Sequence, residues 1–87
     1  MKEESVIMKI TYAKQAVKMI ARLDTPTKQR IGRGISGIPL GDIKRLRGHV
    51  ELYRLRIGDW RVLFSYPDAG TVLIEKISPR GEVYKGE

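Results

Sequence analysis

An α+β fold follows from three observations on this chain. A β-branched run, Val6 to Thr11, sits near the start, and two stretches of helical periodicity follow it. From about Val50 onward, apolar residues alternate at period two almost to the end. The predicted order is an N-terminal strand, a two-helix hairpin and a three-stranded antiparallel meander, with the helices packed on one face of the sheet. A chain of 87 residues suits one core, so residues 1–87 are read as a single domain.

Thr11 is placed to cap a first helix running through Arg22 or Leu23. Ala13, Ala16, Val17, Ile20 and Leu23 recur on it at helical spacing and form the expected core stripe. Lys14, Lys18 and Arg22 occupy the opposite side and read as a solvated face. Asp24-Thr25-Pro26 then breaks and restarts the chain, with Thr25 as cap and Pro26 as first helical residue. The second helix is weak on paper. Gly32 and Gly34 each cost about 1 kcal/mol against alanine, Ile31 and Ile35 supply a narrow apolar edge, and Gly37 ends it. A short helix, frayed by its glycines, is expected.

Ile38 to Gly48 reads as a linker bearing Lys44, Arg45 and Arg47. Strands are predicted over about Val50 to Ile57, Trp60 to Tyr66 and Thr71 to Ile77. Gly58-Asp59 is a two-residue, glycine-first loop suited to a tight hairpin. It sets Ile57 opposite Trp60, Leu55 opposite Val62 and Tyr53 opposite Phe64, which makes one apolar face. The other face then carries Arg54 opposite Leu63 and Arg56 opposite Arg61. Like charges directly across a strand pair destabilise a sheet; a surface built to hold phosphate has a use for them. Pro67-Asp68-Ala69-Gly70 supplies the second turn. The preferred register sets Val72 and Ile74 under Phe64 and Val62, and Glu75 beside Arg61.

The chain carries 17 Lys and Arg against 10 Asp and Glu, a formal net charge of +7, which points to an anionic partner. It has no cysteine, so disulfides and thiolate chemistry are excluded. One histidine and no clustered carboxylates leave no metal site in the pattern, and no cofactor is expected. The N-terminus lacks a signal-peptide core and no stretch is long enough to cross a membrane. The cytoplasm is the expected location.

Arg54, Arg56, Arg61, Arg80 and Tyr84 are the candidate chemistry. Guanidinium groups hold phosphate by two-pronged contacts and stay charged at physiological pH, while a phenol can stack on a base or move a proton. Single-stranded RNA offers both targets. Its 2′-hydroxyl is an internal nucleophile, so posing the strand and stabilising the phosphorane charge suffices to cut it without a metal. Free tyrosine titrates at about 10, and neighbouring arginines lower that value, which makes Tyr84 the candidate base. Glu75 and His49 are lesser candidates.

Leu46-Arg47-Gly48, the hairpin from Tyr53 to Phe64 and the tail Arg80-Gly81-Glu82-Val83-Tyr84 together resemble the RelE/ParE superfamily of toxin–antitoxin toxins. The resemblance covers nearly the whole chain, and the Glu-Val-Tyr ending is similar to the RelE branch. It implies an mRNA interferase that enters the ribosomal A site and cuts messenger by metal-free 2′-hydroxyl attack. It also implies a cognate, RelB-like antitoxin that wraps the toxin and blocks the basic site.

Carried across by position, Arg54 and Arg56 match basic residues that hold the messenger backbone. Arg61 matches the arginine that stabilises the transition state, Arg80 a second arginine at the scissile phosphate, and Tyr84 the tyrosine that orients or deprotonates the nucleophile. Lys44, Arg45 and Arg47 complete the RNA-binding set. The tail departs from the Gly-His-Arg-Arg-Glu-Val-Tyr of many relatives: Ser78-Pro79-Arg80-Gly81 lacks the histidine and one arginine. Two other readings remain open: a ParE-like inhibitor of DNA gyrase, and a catalytically degenerate module that binds antitoxin or RNA.

Overall fold

The computed structural model describes residues 8–46 and 52–79. The elements within them are β1 (Lys9–Tyr12), α1 (Lys14–Ala21), α2 (Thr25–Ser36), β2 (Asp42–Arg45), β3 (Tyr53–Ile57), β4 (Trp60–Asp68) and β5 (Thr71–Pro79). They form one sheet in the order β1-β5-β4-β3-β2. β1 runs parallel to β5, and the remaining neighbours are antiparallel. The α+β class and the helices on one sheet face are as the sequence predicts.

The β3–β4 hairpin adopts the predicted register at all five positions, from Ile57 opposite Trp60 to Tyr53 opposite Phe64. Gly58 turns the chain at φ 58°, a left-handed conformation that costs glycine nothing. A Cβ there would also collide with the Arg30 guanidinium. Leu55, Val62 and Phe64 point to the helices and join Val72, Ile74 and Ile77 of β5 in the core. Tyr53 stacks on Phe64 at 5.5 Å between ring centroids, and Tyr66 meets both rings edge-on. Trp60 packs against the core as predicted.

The segment between α2 and β3 is not a plain linker. Asp42 to Arg45 forms a fourth antiparallel strand on β3, with Ile43 opposite Leu55. It is an edge strand with one core-facing apolar residue, so its sequence carries almost no period-two signal. Leu46 N–H donates to the Leu52 carbonyl at 2.9 Å and extends the pairing.

The β4–β5 register also departs from the expected one. Phe64 lies opposite Ile74 and Val62 opposite Ile77, so Glu75 is an extra residue, a β-bulge. Val72 and Ile74 still face the core with no exposed surface. Glu75, however, does not reach Arg61. It accepts a hydrogen bond from Ser65 Oγ at 2.8 Å, and Ser78 lies opposite Arg61 instead. In the turn after β4, Asp68 accepts a hydrogen bond from Gly70 N–H at 3.0 Å.

Two helix details differ as well. Thr11 belongs to β1, where its hydroxyl donates to the Val72 carbonyl at 3.3 Å, and Ala13 takes the N-cap position of α1. Ala13 N–H is held by the Ile74 carbonyl at 2.8 Å, which fixes the helix start over β5. Ala16 is fully buried, whereas Val17 is 53% exposed and leaves the core stripe. In α2 the cap is Asp24, with Thr25 the first helical residue and Gly37 the C-cap.

α2 is a regular helix of 12 residues, not a frayed one. Ile31 and Ile35 are 1% exposed. Each contributes roughly 1.5–3 kcal/mol by burial, which exceeds the glycine penalties of about 1 kcal/mol each. Gly34 has a packing reason: a Cβ there would lie 2.9 Å from Ile57 Cγ1 and closer still to Cδ1. The missing side chain lets α2 settle against β3. Among the described residues, no helix is long and apolar enough to cross a membrane.

Candidate nucleic-acid interface

Side chains alternate across the sheet, so the residues that face away from the helices form rows. One row reads Asp42, Arg56, Arg61, Ser78 across β2, β3, β4 and β5. The next reads Lys44, Arg54, Leu63, Lys76. Arg54, Arg56 and Arg61 are thus brought together, as the hairpin predicted, and Lys44, expected in a linker, joins them from β2. Arg45 does not: it lies opposite Tyr53, on the helical side. Arg47, His49, Arg80 and Tyr84 lie outside the described residues.

This face is less open than the sequence suggests. Leu63 is only 5% exposed, flanked in its row by Arg54 and Lys76, whose aliphatic stems suit covering an apolar neighbour. The Arg54 side chain is 11% exposed and makes an ion pair with the far more exposed Asp42 at 3.3 Å. Asp42 therefore offsets part of the positive charge at the β2 end of the face. Arg56 is solvent-exposed.

Arg61 behaves differently. Its Nε and Nη1 atoms are buried, and neither has a hydrogen-bond partner among the described residues; Arg54 Nε is in the same state. A buried polar donor left unmatched costs about 1–3 kcal/mol, more when it belongs to a charged group. Arg54 and Arg61 therefore hold cationic donors that no described residue accepts, and an anion with several acceptor oxygens would match them.

Tyr12, Tyr53 and Tyr66 all sit on the helical side, by register or by ring contacts. Burial, and then the nearby Tyr53, push the Tyr66 phenol above its ordinary value. None of these three can serve as a base at the arginines. A shallow depression of about 800 Å³, lined by Tyr12, Gln29, Gly32, Arg33, Ser36 and Gly37, also lies on the helical side, away from Arg61.

Sequence reading missed Asp42 and Ser78 as members of this face. Asp42 is hidden because its edge strand carries almost no period-two pattern. Ser78 was hidden because the Glu75 bulge has no local signature.

The chain is similar over 87% of its length to a solved RelE–RelB complex from Pyrococcus horikoshii, with a TM-score of 0.67, 30% sequence identity and 98% of that chain covered. The chain belongs to the RelE-like toxin family. The toxin–antitoxin complex RelBE2 of Mycobacterium tuberculosis shares the RelE-like fold at a TM-score of 0.73 and 22% identity, over 86% of this chain and all of that one. The protein named RelE1 of Methanocaldococcus jannaschii is 49% identical over 45 residues, which are 51% of this RelE-like chain and 50% of that protein. The match thus spans about half the length of the curated relative. No protein-family profile matches the chain.

Proposed function

We propose that this chain is the toxin of a type II toxin–antitoxin system and acts as a ribosome-dependent endoribonuclease on messenger RNA in the A site. The observation that carries the reading is the Arg56–Arg61 pair: two arginines directly opposite each other across the hairpin, one with buried donors that lack partners among the described residues. Family membership and a net charge of +7 support it.

Arg54, Arg56 and Lys44 hold the messenger backbone, with Arg47 beyond the described strands adding to that grip. Arg61 and Arg80 stabilise the charge that builds on the phosphorane as the ribose 2′-oxygen attacks phosphorus. The P–O5′ bond breaks, leaving a 2′,3′-cyclic phosphate and a 5′-hydroxyl. Tyr84, outside the described residues, is the proposed base that takes the 2′-hydroxyl proton, and solvent returns one to the leaving oxygen. A RelB-like antitoxin, acidic where it meets this face, silences the site, and the toxin acts on cytoplasmic ribosomes.

Purified ribosomes carrying a defined messenger test the reading directly. On adding the chain, cuts should map within codons at the A site and leave cyclic-phosphate ends. Intact messenger on fully programmed ribosomes at high protein concentration overturns nuclease activity. A DNA-damage response in arrested cells, with messenger intact, would establish gyrase inhibition instead.

A further inference from the structure

Ser78 has no part in the mechanism above, yet its surroundings single it out. It is the polar residue that the described fold buries most fully, at 4% exposure. Its Oγ is buried with no hydrogen-bond partner among the described residues. A hydroxyl in that state costs free energy that alanine would not. Packing alone gives no reason to keep it.

Its neighbour supplies one. Ser78 lies directly opposite Arg61 across β4 and β5, and Arg61 Nε and Nη1 are also buried without partners. Side chains directly opposite in an antiparallel pair have Cβ atoms about 4.5–5.5 Å apart, so both can reach one tetrahedral anion. The row also has a polarity. Asp42 repels anions at the β2 end and engages Arg54 there, whereas the β5 end presents a neutral donor beside a guanidinium.

We propose that Ser78 Oγ and the Arg61 guanidinium jointly bind the non-bridging oxygens of one phosphate group, making Ser78 a phosphate-binding residue of this face. Ser78 donates its hydroxyl proton to an oxygen that Arg61 neutralises. The inference rests on the proposed function for its biological sense, since the phosphate would be that of the cut RNA. The anion site itself stands on the geometry alone.

The test titrates the full chain with inorganic phosphate and follows the Arg61 Nε–H and Ser78 amide resonances. Cleavage of messenger on ribosomes is measured on the same proteins. The parent should saturate, with both resonances moving together. Ser78→Ala should weaken phosphate binding about tenfold, the loss of one hydrogen bond to a charged group, with its thermal midpoint unchanged or raised. Ser78→Thr, which keeps the hydroxyl, should bind within about threefold of the parent on the same basis. Equal titration of Ser78→Ala and parent, or an unresponsive Arg61 resonance, overturns the proposal. A parent that binds phosphate through both residues but leaves messenger intact upholds the anion site and removes the nuclease reading.

Discussion

The two faces of this sheet are made by the same strands and obey opposite rules. On the helical face, Leu55, Val62, Phe64, Val72, Ile74 and Ile77 are all at most 2% exposed and pack with Ala16, Ile31 and Ile35. On the other face, the alternate residues of those strands leave Arg54 Nε, two Arg61 nitrogens and Ser78 Oγ buried without partners among the described residues. β4 shows the contrast within nine residues: Val62 and Phe64 serve cohesion, while Arg61 next to them is held in a state that weakens it. Stability and ligand chemistry are separated here by side-chain parity. The comparison predicts that substitutions sort by face.

The largest effect should come from the helical face. Phe64→Ala removes a side chain with no exposed surface and should cost about 3–5 kcal/mol, read as a lower urea midpoint. Phosphate binding by the remaining folded fraction should be unchanged. A loss of binding in folded protein would show that the faces are coupled.

Arg61→Ala should do the reverse. If the proposed function holds, single-turnover cleavage on ribosomes should fall about 10²–10³-fold, the scale for losing one donor to a developing oxyanion. The urea midpoint should stay level or rise, because unmatched buried donors disappear with the side chain. A marked fall in stability would make Arg61 a structural residue.

The two glycines of α2 sharpen the comparison within one helix. Gly32→Ala meets nothing within 4 Å and should stabilise by up to about 1 kcal/mol. Gly34→Ala meets Ile57 and should destabilise by about 1–2 kcal/mol. Adding Ile57→Val should recover part of that loss. Equal effects at both glycines in thermal melts would contradict the close approach of α2 to β3.

The smallest effect belongs to the edge of the cationic face. Asp42→Asn frees Arg54 from its ion pair and should tighten RNA binding roughly two- to fivefold, in line with an exposed pair worth about 0.2–1 kcal/mol. The gain should fade at high salt.

What the sequence made legible was what local chemistry dictates. Gly58-Asp59 fixes a two-residue loop, and that loop fixes every pair from Tyr53–Phe64 to Ile57–Trp60. What it hid was set by tertiary partners. Asp42 to Arg45 becomes a strand because β3 offers it an edge, not because its own pattern asks for one. The glycines of α2 look like faults until Ile57 is seen against Gly34. Of the site, Arg54, Arg56 and Arg61 could be read from the hairpin, whereas Ser78 depended on an irregularity that no residue type announces.

That irregularity at Glu75 works like a single inserted letter that resets a reading frame. Downstream of it, Ile77 is delivered to the oily side and Ser78 to the guanidinium side. Were Glu75 kept and the ladder run straight from Phe64 and Ile74, the two would exchange sides, with Ile77 opposite Arg61 and Ser78 turned toward the helices. Whether this protein can accept an outside anion is therefore decided by one step of strand arithmetic, far from any turn.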